Sequence, residues 1–165
     1  MNWRKIITIF FCLIFTSTSV FAHDIKVYFS PEKQNESVIV ALVGSAKKTL
    51  DIAAYSLTLP SFAEAIIAAQ RRGVQVRVMM DKQQAGGPSS LDEKLIAAKV
   101  PVHIDPWGGL QHSKYLIIDK CTVETGSFNF TRNAVKNNQE NFLVINDCSL
   151  GARFQKNFDK MWADS

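Results

Sequence analysis

Two groups of residues in the second half of the sequence have types and spacing that could do chemistry. In the first group, one residue separates His112 from Lys114, so on an extended strand both side chains point to the same face. An imidazole beside an ammonium suits phosphate chemistry, because the cation stabilises charge on phosphoryl oxygens while the imidazole acts as nucleophile or acid. For this pair alone, a chance meeting on a solvated strand face is the better explanation.

The second group, Gly126, Ser127 and Asn129, follows a predicted strand. Glycine permits a tight bend, and the serine hydroxyl and the asparagine amide can both donate hydrogen bonds to phosphoryl oxygens. A Gly-Ser turn by itself more often has a structural role than a functional one. The functional interpretation is favoured here by the distance along the chain between this turn and the His-Lys pair. Asp119, between the two groups, has the opposite strand parity to His112, which predicts a structural pairing rather than a catalytic role.

Together the two groups have the residue types and spacing of a known signature. The pattern His112-x-Lys114-x4-Asp119-x6-Gly126-Ser127-x-Asn129 resembles the HKD motif of the phospholipase D superfamily. The resemblance continues upstream through residues 27–31, 51–56 and 72–78, and the chain is most similar to the short single-motif forms, namely bacterial endonucleases of the Nuc type and their mitochondrial relatives. It implies an α/β fold, a phospholipase D-like sandwich with a central mixed β-sheet flanked by helices.

The resemblance also implies a mechanism and a homodimer. In the family, one histidine attacks phosphorus to give a phosphohistidine, the histidine of a second motif protonates the leaving oxygen, and water releases the product. This chain has one motif, which implies two copies of His112 facing each other across a two-fold axis, and an inactive monomer. Lys114 and Asn129 are implied to hold the phosphoryl oxygens, and Ser127 to support the same pocket.

A downstream carboxylate in the family hydrogen-bonds the catalytic histidine and orients it, and Glu140 matches that position. Such a contact would fix the tautomer of the ring and stabilise the imidazolium. An exposed acid that leads into a strand is the alternative for Glu140.

Alternating strand-like and helical segments must position these residues, and this alternation is typical of an α/β fold. Strands are predicted at 25–29, 50–54, 74–80, 100–104, 112–119, 121–125 and 141–145. Helices are predicted at 36–48, 61–73, 91–99 and 149–162. Ser61 with Glu64 fits a capping box, Gly73 a helix stop and Ser149 the cap of the last helix. No internal repeat or interdomain linker is visible.

The first 22 residues have the features of a secretory signal peptide: the positive pair Arg4-Lys5, an apolar run at 6–15 and a small-residue cleavage site ending at Ala22. An uncleaved anchor is the alternative, but that run is about half the ~20 residues that a spanning helix needs. The domain division is therefore a signal peptide at 1–22 and one phospholipase D-like nuclease domain with a single HKD motif at 23–165. We expect a periplasmic or secreted protein without stable membrane association after cleavage.

Composition narrows the class of protein. A chain of 165 residues that is 47% hydrophobic and 21% charged can build the core of one domain, which excludes disordered and low-complexity classes. Without residues 1–22 the net charge falls from +4 to +2, too little to indicate a nucleic-acid partner by itself. Arg132 and Lys136 are the candidates for local phosphate contacts, which give affinity without sequence readout.

Cys121 and Cys148 are the two cysteines that follow the predicted signal peptide. In an exported protein two thiols could pair as a disulfide, or they could be separate buried cysteines. Both interpretations stay open at this point.

The predicted function is a metal-independent, sequence-nonspecific endonuclease that hydrolyses nucleic-acid phosphodiester bonds through a phosphohistidine in a dimer-shared site. DNA is the expected substrate, with RNA left open, and no cofactor is expected. Neither His23 nor His103 forms a metal-ligand spacing with His112. Two alternatives remain: a phospholipase D-type lipid phosphodiesterase, for which no amphipathic docking helix is visible, and a catalytically silent nucleic-acid-binding protein, against which the complete motif argues.

Overall fold

The computed structural model describes residues 24–165, so the predicted signal peptide and His23 lie outside the described residues. The described strands are β1 (Asp24–Phe29), β2 (Thr49–Ala54), β3 (Gln75–Asp81), β4 (Val102–Asp105), β5 (Tyr115–Ile118), β6 (Thr122–Gly126) and β7 (Asn141–Asn146). The described helices are α1 (Gln34–Ser45), α2 (Pro60–Arg71), α3 (Asp92–Ala97), α4 (Arg132–Lys136) and α5 (Cys148–Ala163). In this part of the chain, no helix is both long and apolar enough to cross a membrane.

All seven described strands form one sheet in the order β1-β7-β6-β5-β2-β3-β4. The pairs β2-β3 and β3-β4 are parallel, and the other four pairs are antiparallel. The parallel half arises because α2 and α3 each carry the chain back between successive strands, while the antiparallel half is built from the β5-β6 hairpin and β7. The prediction of an α/β fold with a central mixed sheet flanked by helices is confirmed.

The sheet separates two apolar cores, because neighbouring residues of a strand face opposite sides. On one face Ile52 and Leu116 pack in a large cluster with Ile39 of α1 and Phe62 of α2. On the other face Tyr115 and its neighbours pack under α5. Burial of these faces holds the helices against the sheet, since each buried large apolar side chain contributes ~1.5–3 kcal/mol.

The disulfide that the sequence left open is present between Cys121 and Cys148. Cys121 lies in the turn between β5 and β6, and Cys148 is the first residue of α5. The backbone of Asp147 also donates to the carbonyl of Cys121, at 3.0 Å. These links fix the start of α5 beside the hairpin that follows the His-Lys pair.

Two predicted helix caps are wrong, because the Ser61 and Glu64 side chains bond to other helices and because Asp147 takes the capping position expected of Ser149. Helix α2 begins at Pro60, and the hydroxyl of Ser61 donates to Glu36 of α1 instead of to its own helix. Glu64 forms an ion pair with Lys94 of α3. Helix α5 is capped by Asp147, whose carboxylate accepts from two backbone N–H groups in the first turn, and not by Ser149. The end of α2 just before Gly73 agrees with the prediction.

Candidate active site

Residues 111–114, which contain the His-Lys pair, form an irregular segment and not the start of a strand. The predicted strand 112–119 is therefore shorter than expected, with β5 covering Tyr115–Ile118. The buried side chain of Gln111 accepts a hydrogen bond from the backbone N–H of Ser113, at 2.7 Å. The backbone N–H of Gln111 donates to the buried carboxylate of Asp81, at 2.9 Å. These bonds anchor the segment on both sides of His112 to the carboxyl end of β3.

The side chains of His112 and Lys114 lie in contact, with the lysine Nζ 3.0 Å from the histidine Nδ1. Lys114 Nζ also donates to the backbone carbonyl of His112. The ring of Tyr55 packs beside both groups, 4.4 Å from the imidazole centroid and 4.9 Å from Nζ. The predicted adjacency is therefore present, but a bent segment produces it and not the two-residue period of a strand.

While Lys114 is an ammonium group, its hydrogen bond constrains the tautomer of His112. An ammonium group has only donors, so Nδ1 of His112 must accept, and a neutral ring then carries its proton on Nε2. Burial lowers the pKa of Lys114, and the nearby negative charge of Glu140 opposes that shift. In this arrangement Nε2 has no free lone pair, so attack by Nε2 on phosphorus requires the proton to move to Nδ1.

Ser127 and Glu140 form a second hydrogen-bonded pair. The hydroxyl of Ser127 donates to Glu140 Oε2 at 2.5 Å and accepts from the backbone N–H of Asn141 at 3.1 Å. The other oxygen of Glu140 accepts from Asn138 at 2.9 Å. Within the described chain, no hydrogen bond joins Glu140 to His112, so a single copy does not make the contact that the resemblance implied.

Gly126 is required by a close approach between strands and not by a tight bend. It ends β6 opposite Phe142 of β7, and a Cβ placed there would lie 2.2 Å from the carbonyl oxygen of Asn141. No real Cβ tolerates that distance, so any larger residue would force the strands apart. The backbone N–H of Ser127 donates to the same carbonyl, at 2.9 Å.

Asp119 directly follows the end of β5 that is far from His112, and its side chain contacts the backbone at the start of β2. Its carboxylate accepts from the backbone N–H groups of Lys47, Lys48 and Thr49, with shortest distances of 3.0, 2.7 and 2.9 Å. Burial opposes ionisation, but these three hydrogen bonds outweigh it and lower the pKa of Asp119. Asp119 thus has the structural role that its strand parity predicted. The physical reason is the position of Asp119 at the opposite end of β5 from His112 as much as the sheet face to which it points.

The motif side chains open into a cleft of about 800 Å³. It is lined by motif residues from the β5, β6 and β7 region and by one face of α5: His112, Lys114, Ser127, Asn129, Glu140, Leu150, Arg153, Phe154 and Asn157. The side-chain oxygen of Asn129 is buried there without a hydrogen-bond partner in the described structure. The cleft therefore brings all five predicted catalytic residues together.

Sequence reasoning missed the α5 contribution and the anchors of the His-Lys segment. Arg153 and the other α5 residues of the cleft recur at intervals of three or four residues along the helix. This spacing predicts that they share one helix face, but it does not predict which part of the protein that face contacts. Arg132 and Lys136 are exposed on α4 and do not line the cleft, so their predicted phosphate contact remains untested. Among residues 24–165, no group of three or more His, Cys, Asp or Glu could hold a metal ion.

A mixed sheet with a histidine-lysine segment beside a Gly-Ser-x-Asn turn defines a phospholipase D-like protein. Residues 39–162 match the family described as "Cardiolipin synthase, PLD-like domain". The chain belongs to this phospholipase D-like family, as its resemblance to the HKD motif predicted.

Its relatives include a mitochondrial cardiolipin hydrolase of Chlamydomonas reinhardtii, 38% identical over 120 residues, which make up 73% of this chain and 54% of the relative. A phospholipase D of Rickettsia prowazekii is 36% identical over 135 residues, 82% of this chain and 66% of the relative. The chain thus spans between about half and two thirds of the length of these curated relatives.

Two solved structures share the fold over nearly their whole length. Nuc of Salmonella typhimurium, a phospholipase D family member, superposes with a TM-score of 0.82 at 34% identity, covering 87% of this chain and 96% of Nuc. NucT of Helicobacter pylori gives a TM-score of 0.77 at 24% identity, covering 87% and 98%, which supports the fold alone.

Proposed function

We propose that the protein is a phosphodiesterase of the phospholipase D superfamily and, more narrowly, a periplasmic or secreted endonuclease without sequence specificity. The observation that carries the proposal is the contact between His112 and Lys114 in the lining of an open cleft that Asn129 also lines. A nucleophile, a cation and an amide in one cleft support phosphoryl transfer, because a phosphodiester bound there would need all three groups.

In the proposed reaction, Nε2 of His112 attacks phosphorus and the bond from phosphorus to the leaving oxygen breaks. Lys114 and Asn129 stabilise the charge on the non-bridging oxygens. A proton donor must protonate the leaving oxygen, and water then attacks the phosphohistidine to release the product and regenerate the ring. The deprotonated donor takes back its proton from the attacking water, so the proposed steps use only water and protein groups and need no cofactor.

The proton donor supports a homodimer. Of the histidines in residues 24–165, His112 is the one that lines the cleft, since His103 lies on β4 and stacks on Trp162, with ring centroids 3.8 Å apart. A second copy related by a two-fold axis would supply a second His112 as the general acid. Each copy would also bring Glu140, a carboxylate that can accept a hydrogen bond from Nδ1–H and so favour the tautomer in which the ring proton has moved from Nε2 to Nδ1 and Nε2 is free to attack.

A nucleic acid is the proposed substrate because the cleft is open and carries Lys114 and the exposed Arg153 beside the histidine. Such cations bind any phosphodiester backbone, which predicts cleavage of DNA and RNA without sequence readout. A lipid phosphodiesterase is the second candidate, because the relatives include proteins named cardiolipin hydrolase and phospholipase D.

A single set of assays separates these candidates. The protein from residue 23 onward is incubated in excess chelator with plasmid DNA, with single-stranded RNA and with vesicles of cardiolipin and phosphatidylcholine. We expect cleavage of nucleic acid and not of lipid, with the active species eluting at the mass of a dimer. Turnover of lipid alone would transfer the proposal to the second candidate, and activity restored only by a divalent ion would contradict a metal-independent reaction.

His112→Ala tests the nucleophile, with His103→Ala as the matched control outside the cleft. Removal of a nucleophile that is also the general acid should lower turnover by about 10³-fold or more. Added in excess to the wild type, the His112→Ala protein should also reduce activity. The reason is that a mixed dimer has one copy of His112 at the shared site, where the reaction needs two. Unchanged DNA degradation by His112→Ala would overturn the catalytic assignment.

A further inference from the structure

A second groove of about 610 Å³ adjoins the catalytic cleft. Both depressions are lined by His112, Ser113 and Asn157, so they meet at the catalytic segment. The outer wall of the second groove is formed by the β4-β5 connection, with Trp107 and Leu110, and by the last turns of α5. A substrate bound at His112 can therefore extend into this groove.

Trp107 presents an unusually exposed aromatic surface there, with 69% of the residue accessible. Its backbone is held, because its carbonyl accepts from Lys82 Nζ at 2.7 Å and its N–H donates to Asp105 at 3.3 Å. The pyrrole edge of the indole lies close against Gly109, where a Cβ would be 3.1 Å from Nε1. The ring is thus supported from one side, while most of its surface is open for a ligand to cover.

The lining of the groove is apolar on one part and polar on the other. Trp107, Leu110 and Met161 supply apolar lining, while the polar groups away from the catalytic segment are Asp105, Asn157, Lys160 and Asp164. An acyl chain would cover those polar groups without giving them hydrogen-bond partners, which is costly. A nucleobase instead has apolar faces for stacking and polar edges with both donors and acceptors, and carboxylates can accept from its amino groups.

We propose that this groove is a base-binding subsite, in which the base of the nucleotide next to the scissile phosphate stacks on Trp107. The inference rests on the proposed nuclease function and adds the part of the substrate that is recognised beside the phosphate. Stacking tolerates every base, so the subsite adds affinity without sequence specificity. A base held there has left the duplex stack, so single-stranded nucleic acid is the preferred form of substrate.

Trp107→Ala tests the subsite with two single-stranded oligonucleotides of equal length, one with normal bases and one with abasic nucleotides. Loss of one stacked base should raise KM for the normal oligonucleotide by roughly 5- to 150-fold. The preference of the enzyme for the normal over the abasic substrate should fall by the same factor. Trp107→Phe should recover most of it, and Gly109→Ala should reproduce part of the loss by displacing the indole.

Ile96→Ala is the matched control, because Ile96 is 52% exposed and lines neither groove. The subsite is overturned if Trp107→Ala leaves KM for the normal oligonucleotide unchanged, or lowers activity on both oligonucleotides equally. It is also overturned if the substitution weakens only binding to vesicles of cardiolipin and phosphatidylcholine, since the groove would then face lipid.

Binding measurements keep the subsite separate from the chemistry. In a His112→Ala background, labelled normal and abasic oligonucleotides are titrated and anisotropy is recorded. A further Trp107→Ala substitution should weaken binding of the normal oligonucleotide selectively. If the wild type does not cleave nucleic acid but Trp107→Ala still weakens binding of the normal oligonucleotide selectively, the nuclease proposal is wrong and the subsite is retained. Equal binding of both oligonucleotides to the His112→Ala protein would remove the subsite alone.

Discussion

Glu124 is a fully buried carboxyl group at the centre of the sheet, and both of its oxygens lack a hydrogen-bond partner in the described structure. It lies on β6 opposite Leu116 of β5 and Val144 of β7, two residues of the larger apolar core. Burial among these groups raises the pKa of Glu124 well above its ordinary value. The side chain therefore weakens the core in which it sits.

Replacement by leucine removes the polar atoms and keeps a side chain of similar size. A buried polar group without a partner costs about 1–3 kcal/mol, so Glu124→Leu should raise the free energy of unfolding by about that amount at neutral pH. For a domain of this length the melting temperature should rise by about 3–10 °C. Glu124→Gln keeps the shape and polarity of the side chain and removes only its ionisation.

The two variants differ in their pH dependence. A carboxyl group whose pKa is raised in the folded state stabilises fully below its unfolded pKa and loses that contribution as pH rises through the folded pKa. The stability of the wild type relative to Glu124→Gln should therefore fall as pH increases. Urea unfolding followed by circular dichroism, from about pH 5 to about pH 9, measures this difference.

Glu93→Gln is the control, since Glu93 is exposed and should change stability by less than about 0.5 kcal/mol. The reasoning is refuted if Glu124→Leu lowers stability, or if the difference between wild type and Glu124→Gln is independent of pH. Either result would mean that the carboxyl group is satisfied in the native protein.

Three further perturbations test the site and its support. Gln111→Leu removes the acceptor for Ser113 N–H, so kcat for DNA should fall by roughly 10- to 100-fold with KM little changed, and Gln111→Glu should restore it. Asp119→Asn should cost about 1.5–3 kcal/mol in urea unfolding near neutral pH, and the loss should shrink as pH falls through the lowered pKa of the wild-type carboxylate. Replacing Cys121 and Cys148 by serine opens a loop with a sequence separation of 27 and should cost about 3–4 kcal/mol, measured by the same unfolding assay.

The central strands could be predicted because short, continuous apolar runs of this kind are typical of buried strands. The prediction for 74–80 differs from β3 by one residue at each end. The prediction for 112–119 failed at its start, because the side chain of Gln111 bonds to Ser113 N–H where a strand would have made ladder hydrogen bonds. Such side-chain bonds leave no periodic signal. The place of Arg153 in the cleft depends on where α5 crosses the sheet, which local sequence does not encode.

In a single chain, the hydrogen bonds of Lys114 and Glu140 oppose formation of the nucleophilic tautomer of His112. Lys114 occupies the Nδ1 lone pair of His112, and Glu140, the carboxylate that could accept from Nδ1–H, accepts from Ser127 instead. In the proposed mechanism both contacts must change together. A bound phosphodiester attracts the Lys114 ammonium away from Nδ1, and the ring proton can then move from Nε2 to Nδ1, where Nδ1–H donates a hydrogen bond to a carboxylate. Substrate binding and formation of the nucleophilic tautomer are thereby coupled, which limits reaction at Nε2 to a cleft that already holds a phosphate ester.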